Sequence, residues 1–219
     1  MNYLDVLNDE EVVNRYNAID EINPYPFNHG LKHVKNVCNI MNRLCDILNI
    51  SGGEKEALLI ACALHDIGQV DGREEHGKKS KLFTIDRFGN ELETNNYYDE
   101  ILNAIEKHDN PCDASNTLFC LLVQFCDKMD FTRDRLENNC REKHGYIVYE
   151  EINEVEFIYN EKEFGINLLT SDKNDFEDLF FSPDRKFVGK VINAVNALAE
   201  KLERNLVIQH NGNTLDNTI

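Results

Sequence analysis

Apolar residues recur every three to four positions along most of the first two thirds of the chain, and that period predicts helices. Residues 9–22 carry Val12, Val13, Tyr16, Ile19 and Ile22 at helical spacing, and the proline-containing run from Asn23 to Phe27 ends the pattern. Asn28 is a good N-cap for a long helix reaching about Asn49, with Val34, Val37, Cys38, Met41, Leu44, Cys45 and Leu48 as its apolar stripe. Ser51-Gly-Gly-Glu opens the next helix, whose run Ala57–Leu64 ends at His65-Asp66-Ile-Gly68. A polar stretch from Gln69 to Asn96 follows, read as a short helix around His76 and a flexible turn at Arg87-Phe-Gly-Asn. Residues 97–109 form a helix with Ile101, Ala104, Ile105 and His108 on one face, and residues 114–137 a strongly apolar one.

Past Asn139 the pattern changes. Tyr146–Tyr149, Val155–Tyr159 and Phe164–Thr170 are rich in β-branched and aromatic residues and are separated by acidic turns, which predicts a small antiparallel β insertion. Ser182-Pro-Asp begins a final helix through Val191, Val195, Leu198, Leu202 and Leu206, and the polar tail from Gln209 is expected to be disordered. There is no internal repeat.

The most unusual local feature is the doublet His65-Asp66. A long apolar run delivers an imidazole and a carboxylate side by side, and burying both without a partner is costly. A metal ion accepts both groups. His33, His76, His108 and Asp127 also stand at helix ends or on apolar faces. Alone, each reads more simply as a hydrogen-bonded core histidine or a helix cap. Together the six exceed one tetrahedral centre and suit two ions sharing Asp66, of the type that accepts imidazole and carboxylate: Fe, Mn, Ni or Zn. Such ions sit roughly 3.5–4 Å apart in sites that activate water and clamp a phosphoryl group. His29, four residues before His33, is an alternative to it as ligand or a hydrogen-bonding neighbour.

Composition narrows the function. The 219 residues carry 40 acids against 23 bases, a net charge of −17, which argues against a broad nucleic-acid or anionic-membrane surface. A phosphorylated small molecule stays open, because a metal supplies local positive charge. The seven cysteines include no Cys-x-x-Cys and read as buried free thiols in a reducing cytoplasm. The N-terminus lacks a basic region followed by a long apolar core, and no run approaches the ~20 apolar residues of a membrane span.

The order His33…His65-Asp66…Asp127 resembles the HD-domain superfamily of metal-dependent phosphohydrolases. His29-Gly-Leu-Lys-His33-Val-Lys-Asn-Val37 is similar to that family's His-x-x-x-Val helix, and Cys126-Asp127-Lys-Met-Asp130 to its Ala-Asp-x-hydrophobic-Asp. The likeness covers about residues 25–137. His76 and His108 resemble the two extra histidines of the dinuclear subgroup, which includes HD-GYP cyclic-dinucleotide phosphodiesterases and diadenosine-tetraphosphate hydrolases. The chain departs from HD-GYP members: Asp109-Asn-Pro-Cys112 stands where Gly-Tyr-Pro is expected, and the His-His pair is His108-Asp109. Gln69 replaces the lysine that many members place after His-Asp-x-Gly.

The resemblance implies an all-α fold, an HD-domain helical bundle with core 25–137; added to the residue pattern, it gives a single domain over 1–208 with a β insertion at 140–172 that has no counterpart in the minimal domain, a C-terminal helix at 183–208 and a tail at 209–219. It implies hydrolysis of a nucleotide or other small phosphoester by a metal-activated hydroxide, with His65 and Asp66 at the catalytic centre. Asp66 would bridge two divalent ions, one held by His33, His65 and Asp127 and the other by His76 and His108. Arg73, Lys128 and Arg133 are the candidate substrate-binding cations. Arg133 is read as continuing the helix of Asp127, two turns on. The expected partners are a small nucleotide-like phosphorylated substrate and a second copy of the chain in a homodimer, with no nucleic-acid duplex and no membrane. Two other readings compete: a di-iron oxygenase of HD-like fold, and a non-catalytic module whose metal only locks the helices.

Overall fold

The computed structural model describes residues 1–22, 27–136, 147–171, 176–181 and 187–215. The chain divides into two compact units, one of Met1–Pro24, Asn28–Pro111 and Asn116–Asp130, the other of Tyr25–Phe27, Cys112–Ser115 and Phe131–Ile219. No helix among the described residues is long and apolar enough to cross a membrane.

The first unit is helical: α1 (Tyr3–Leu7), α2 (Glu10–Ile22), α3 (Leu31–Leu48), α4 (Gly52–Leu64), a 3-10 turn (Ile67–Asp71), α5 (His76–Leu92), α6 (Tyr98–Lys107) and α7 (Leu118–Met129). Helix α4 lies at its centre. Every side chain from Ala57 to Leu64 is buried, because α1, α3, α6 and α7 all pack on it. The predicted stripe of α3 is likewise inside, from Val34 to Cys45. Five of the cysteines, at 38, 45, 62, 120 and 126, are buried thiols, and burial pushes the Cys38 thiol up to about 12.

Local differences from the sequence reading have physical causes. Helix α3 is capped by Gly30, and Asn28 instead accepts the Gly30 N–H with its side-chain oxygen at 3.1 Å. The turn expected at Arg87–Asn90 is helical, inside α5. Gly89 costs about 1 kcal/mol there, but Phe88 and Leu92 are buried on one face and Arg87 reaches Asp9 at 2.5 Å. The helix expected over 114–137 is only α7. It stops because Asp130 leaves helical geometry (ψ 70°) with its carboxylate held by His33 and Asn36.

The second unit holds a 3-10 turn (Arg133–Arg135), α8 (Ile147–Glu151), β1 (Ile152–Tyr159), β2 (Glu163–Thr170), α9 (Phe176–Phe180), α10 (Val188–Lys201), β3 (Asn205–His210) and β4 (Asn213–Thr214). The predicted hairpin is present: β1 and β2 pair antiparallel, from Tyr159↔Phe164 to Ile152↔Thr170, with a bulge near Ile152. The expectation of an all-α fold with a purely antiparallel insertion needs correction, because β2 also pairs parallel with β3, giving a mixed sheet in the order β1-β2-β3-β4. As an inner strand, β2 is buried from Phe164 to Leu168.

Strand β3 occupies residues expected to end the last helix and begin a disordered tail. Helix α10 closes at Lys201, where Glu203 takes a left-handed conformation (φ 57°) and Arg204 N–H bonds to the Ala199 carbonyl. Glycine or asparagine would have signalled that stop; glutamate does not. Val207 and Ile208 then turn inward, and ordered structure continues to the buried Leu215. In place of the expected first strand stands α8: Tyr149 is fully buried against Phe27 and Phe131, so packing overrides β propensity. Tyr146, Cys140, the expected helix start at Ser182 and the chain beyond Leu215 lie outside the described residues.

Candidate metal centre

Three helices of the first unit end close together. His65 is the C-cap of α4, His108 the C-cap of α6, and Asp127 lies in the last turn of α7. Helix C-termini carry unpaired carbonyls and partial negative charge, which favours a cation among them. His33 comes from the first turn of α3, and His76 opens α5. Two glycines bring α5 into place. A Cβ on Gly68 would stand 2.5 Å from the His76 carbonyl oxygen and the Ser80 nitrogen, and one on Gly77 would stand 2.4 Å from the Glu106 carbonyl oxygen. Only glycine lets the turn after Asp66 touch α5, and α5 touch α6, which sets His76 beside His108.

All six predicted residues converge, and all are buried. His33 Nε2 lies 3.2 Å from Asp127 Oδ1 and 3.7 Å from Asp66 Oδ2. His65 Nε2 lies 3.5 Å from Asp66 Oδ2 and 3.7 Å from Asp127 Oδ1. On the other side, His76 and His108 Nε2 lie 3.3 and 3.1 Å from Asp66 Oδ1, and 2.9 Å from each other. The Asp66 carboxylate therefore turns one oxygen to each pair of imidazoles.

The outer nitrogens fix the tautomers. Nδ1 of His65, His76 and His108 each lies 2.8 Å from the carbonyl oxygen three residues earlier, of Cys62, Arg73 and Ile105. A carbonyl only accepts, so each Nδ1 is a donor. His33 Nδ1 donates to Asp130 Oδ2 at 2.6 Å, and Asn36 holds the other Asp130 oxygen at 3.2 Å. In the neutral rings every Nε2 then presents a lone pair to the carboxylates.

Lone pairs and anions facing one another require a cation. Two such nitrogens at 2.9 Å, both near a carboxylate oxygen, need a shared proton or a metal between them. His65 Nε2 is a buried polar atom with no hydrogen-bond partner, as a metal ligand without its ion would be. The donor set of imidazole and carboxylate fits a divalent transition metal. Three triads, His29/His33/Asp66, His33/His65/Asp127 and His65/Asp66/His108, each bring ligand atoms within 4.8 Å of one another.

Charges in the cluster are strongly coupled. Burial would raise the Asp66 carboxyl, but without a metal, when the rings are protonated, the charge of His65 and hydrogen bonds from His108, His29 and His76 hold it well below the usual carboxylate range. Burial opposes Asp127 ionisation too, and Lys128 with His33 and His65 outweighs it in the same direction. Burial depresses both His76 and His108. The pull of Asp66 raises His76 above its ordinary value, whereas His65 and His76 help keep His108 below it.

The remaining candidates separate. Lys128 is buried and ion-paired with Asp127, with Asp109 at 3.7 Å. Arg73 is exposed and gives its carbonyl to His76. Arg133 is not on the Asp127 helix; it lies in the second unit and donates to Asn153 Oδ1 at 3.1 Å, so the spacing argument for it fails. His29 Nδ1 sits 3.1 Å from Asp66 Oδ2, with the Gln69 amide nitrogen 3.4 Å from the same His29 nitrogen. The Asp66 contact fits the hydrogen-bonding alternative for His29, and its place in the His29/His33/Asp66 triad fits the ligand alternative. Sequence reasoning missed Asp130 as the partner of His33. Its signal was present as the second aspartate of the Asp127 motif.

The family model of the HD domain matches residues 30–132, the stretch that contains five α-helices and all six cluster residues. Over that stretch the chain is similar to the HD domain, a family whose members are generally metal-dependent phosphohydrolases. No curated protein matches the chain.

Proposed function

We propose that this protein is a phosphohydrolase that uses two divalent transition-metal ions to cleave a nucleotide or other small phosphoester. The observation that carries the reading is the orientation of four imidazoles. Each Nδ1 is already used, and each Nε2 points at one or other oxygen of Asp66. In this reading His33, His65, Asp127 and Asp66 Oδ2 hold one ion, and His76, His108 and Asp66 Oδ1 the other. When bound, such ions supply Lewis acidity toward water and a phosphoryl oxygen.

The chain's own groups do the rest. Asp66 spans the two halves and sets their separation, and His29 steadies its Oδ2. Asp130 keeps His33 in the tautomer whose Nε2 lone pair can ligate. Lys128 balances Asp127 and lies 3.7 Å from Asp109; in this reading it would also meet a phosphate oxygen, a task for which Gln69 carries no charge. Attack by water on phosphorus breaks the bond to the leaving oxygen, which is protonated as it departs.

The test is metal analysis of protein purified without chelator, followed by phosphate release from p-nitrophenyl phosphate, bis-p-nitrophenyl phosphate and nucleotides with Mn2+, Fe2+, Ni2+ or Zn2+. Turnover abolished by a chelator and restored by one of these ions is expected. Fully metal-loaded protein that releases no phosphate but consumes oxygen would establish the oxygenase reading instead.

A further inference from the structure

Gln124 is a fully buried polar side chain on α7, one helical turn before Asp127. Its amide nitrogen donates to two backbone carbonyls, those of Lys107 at 2.9 Å and Asn110 at 3.2 Å. Carbonyls only accept, so this pair settles which end of the amide carries the hydrogens. The amide oxygen accepts from the Asn116 side chain at 3.4 Å. Burying such a group is costly unless its bonds are made. Here the bonds go to one short stretch of chain.

That stretch carries a cluster residue. The two carbonyls bracket His108-Asp109. Helix α6 ends at Lys107, so the carbonyls of its last turn have no partner within the helix. The Ile105 carbonyl takes the His108 ring Nδ1 at 2.8 Å, and the Lys107 carbonyl takes Gln124 together with the Asn110 N–H at 3.0 Å. The ring is thus fixed to the helix end, and the helix end is fixed to α7. The 3.1 Å approach of His108 Nε2 to Asp66 Oδ1 depends on where that backbone lies. Helix α7 therefore serves both halves of the cluster. Asp127 faces His33 and His65 directly. Gln124 acts on the other half through the backbone.

We infer that Gln124 is a positioning residue for the His76/His108 half, clamping the Lys107–Asn110 turn so that the His108 imidazole stands where a ligand must. The inference rests on the two-ion reading for what His108 holds.

The test is titration of chelator-treated protein with Co2+ against a competing chromophoric chelator. Wild type should bind two ions. Gln124→Met keeps the length but removes both donors. It should weaken one ion roughly tenfold, the scale of losing a group behind a ligand, and leave the other within about twofold. In a His76→Ala background, which has already lost that half, Gln124→Met should leave the remaining ion unmoved. Leu122→Ala, a buried truncation on the same helix, controls for lost stability and should not single out one ion. If Gln124→Met does not fold, Gln124→Asn keeps the amide one methylene short and should give the same contrast at smaller amplitude.

Equal weakening of both ions overturns the proposal, since Gln124 would then serve stability alone. Unmoved affinities overturn it too, as does a further loss in the His76→Ala background. A chain that binds one ion refutes the two-ion reading; Gln124 then keeps its role only if His108→Ala removes that ion and Gln124→Met weakens it, and otherwise falls as well. Selective weakening in a protein that cleaves no phosphoester sinks the hydrolase reading and leaves Gln124 in place. Cleavage with unmoved affinities does the reverse.

Discussion

The two halves of the His/Asp cluster share Asp66 yet are supported differently. Around His33, His65 and Asp127 the backing groups include charged ones. Asp130 stands behind His33 at 2.6 Å and Lys128 beside Asp127. Behind His76 and His108 stand backbone carbonyls, those of Arg73 and Ile105. The first half is carried by α3, α4 and α7, and both halves are buried; His76 also lines a cleft. A carboxylate behind a histidine raises its basicity more than a carbonyl does. Under the two-ion proposal, the half backed by a carboxylate would hold its ion more firmly than the half backed by carbonyls.

The largest expected effect breaks both halves together. Asp66→Ala should remove both ions and lower turnover by about three orders of magnitude or more, as expected for losing a group that positions the reacting charges. Metal content and phosphate release measure it. A variant that keeps two ions per chain would show that Asp66 is not the bridge.

The next experiment separates the halves. His76→Ala with His108→Ala should cost one ion and leave the other, read by elemental analysis. Metal content unchanged by the double substitution would remove the second half from the site.

A subtler change probes the backing itself. Asp130→Asn keeps the shape but weakens the hold on His33, and affinity for the tighter ion should fall by about 10- to 100-fold. Competition with a chromophoric chelator reports this. If the weaker ion is the one affected, the comparison is inverted.

The smallest effect concerns acid stability without metal. Asp127 is depressed in the folded protein, so its contribution is fully present above the ordinary carboxylate value of about 3.9 and is lost as pH falls through the lower folded value. Chelator-treated protein should therefore lose melting temperature only at strongly acid pH. Lys128→Met, by removing the counter-charge, should move that loss to higher pH. An unchanged acid profile would show that Lys128 does not balance Asp127.

Much of the centre was legible in the chain. The six residues stand at helix ends or on apolar faces, and a buried His-Asp pair has few inexpensive partners. The helical period located α2, α3, α4, α6 and the start of α7, because a residue every three or four positions must face the core. Less of the support was legible. Asp130 could be seen in the motif, but its pairing with His33 spans 97 residues. Arg133 was misplaced because a continuous apolar helix was extended past the point where Asp130 turns away to serve that pairing. The Arg87–Asn90 segment had turn residues, and the burial of Phe88 and Leu92 overrode them.

The sequence by itself determined the helical unit, the identity of the cluster residues and the hairpin of β1 and β2, since these depend on local period and on the chemistry of side chains near one another in the chain. Tertiary structure alone decided which nitrogen of each histidine faces inward and the division of the cluster around the two oxygens of Asp66. It also decided the parallel pairing that makes residues 205–210 a strand. Those outcomes depend on partners far away in sequence. A carbonyl three residues back can be guessed, but a facing carboxylate or a neighbouring strand cannot be read from local pattern.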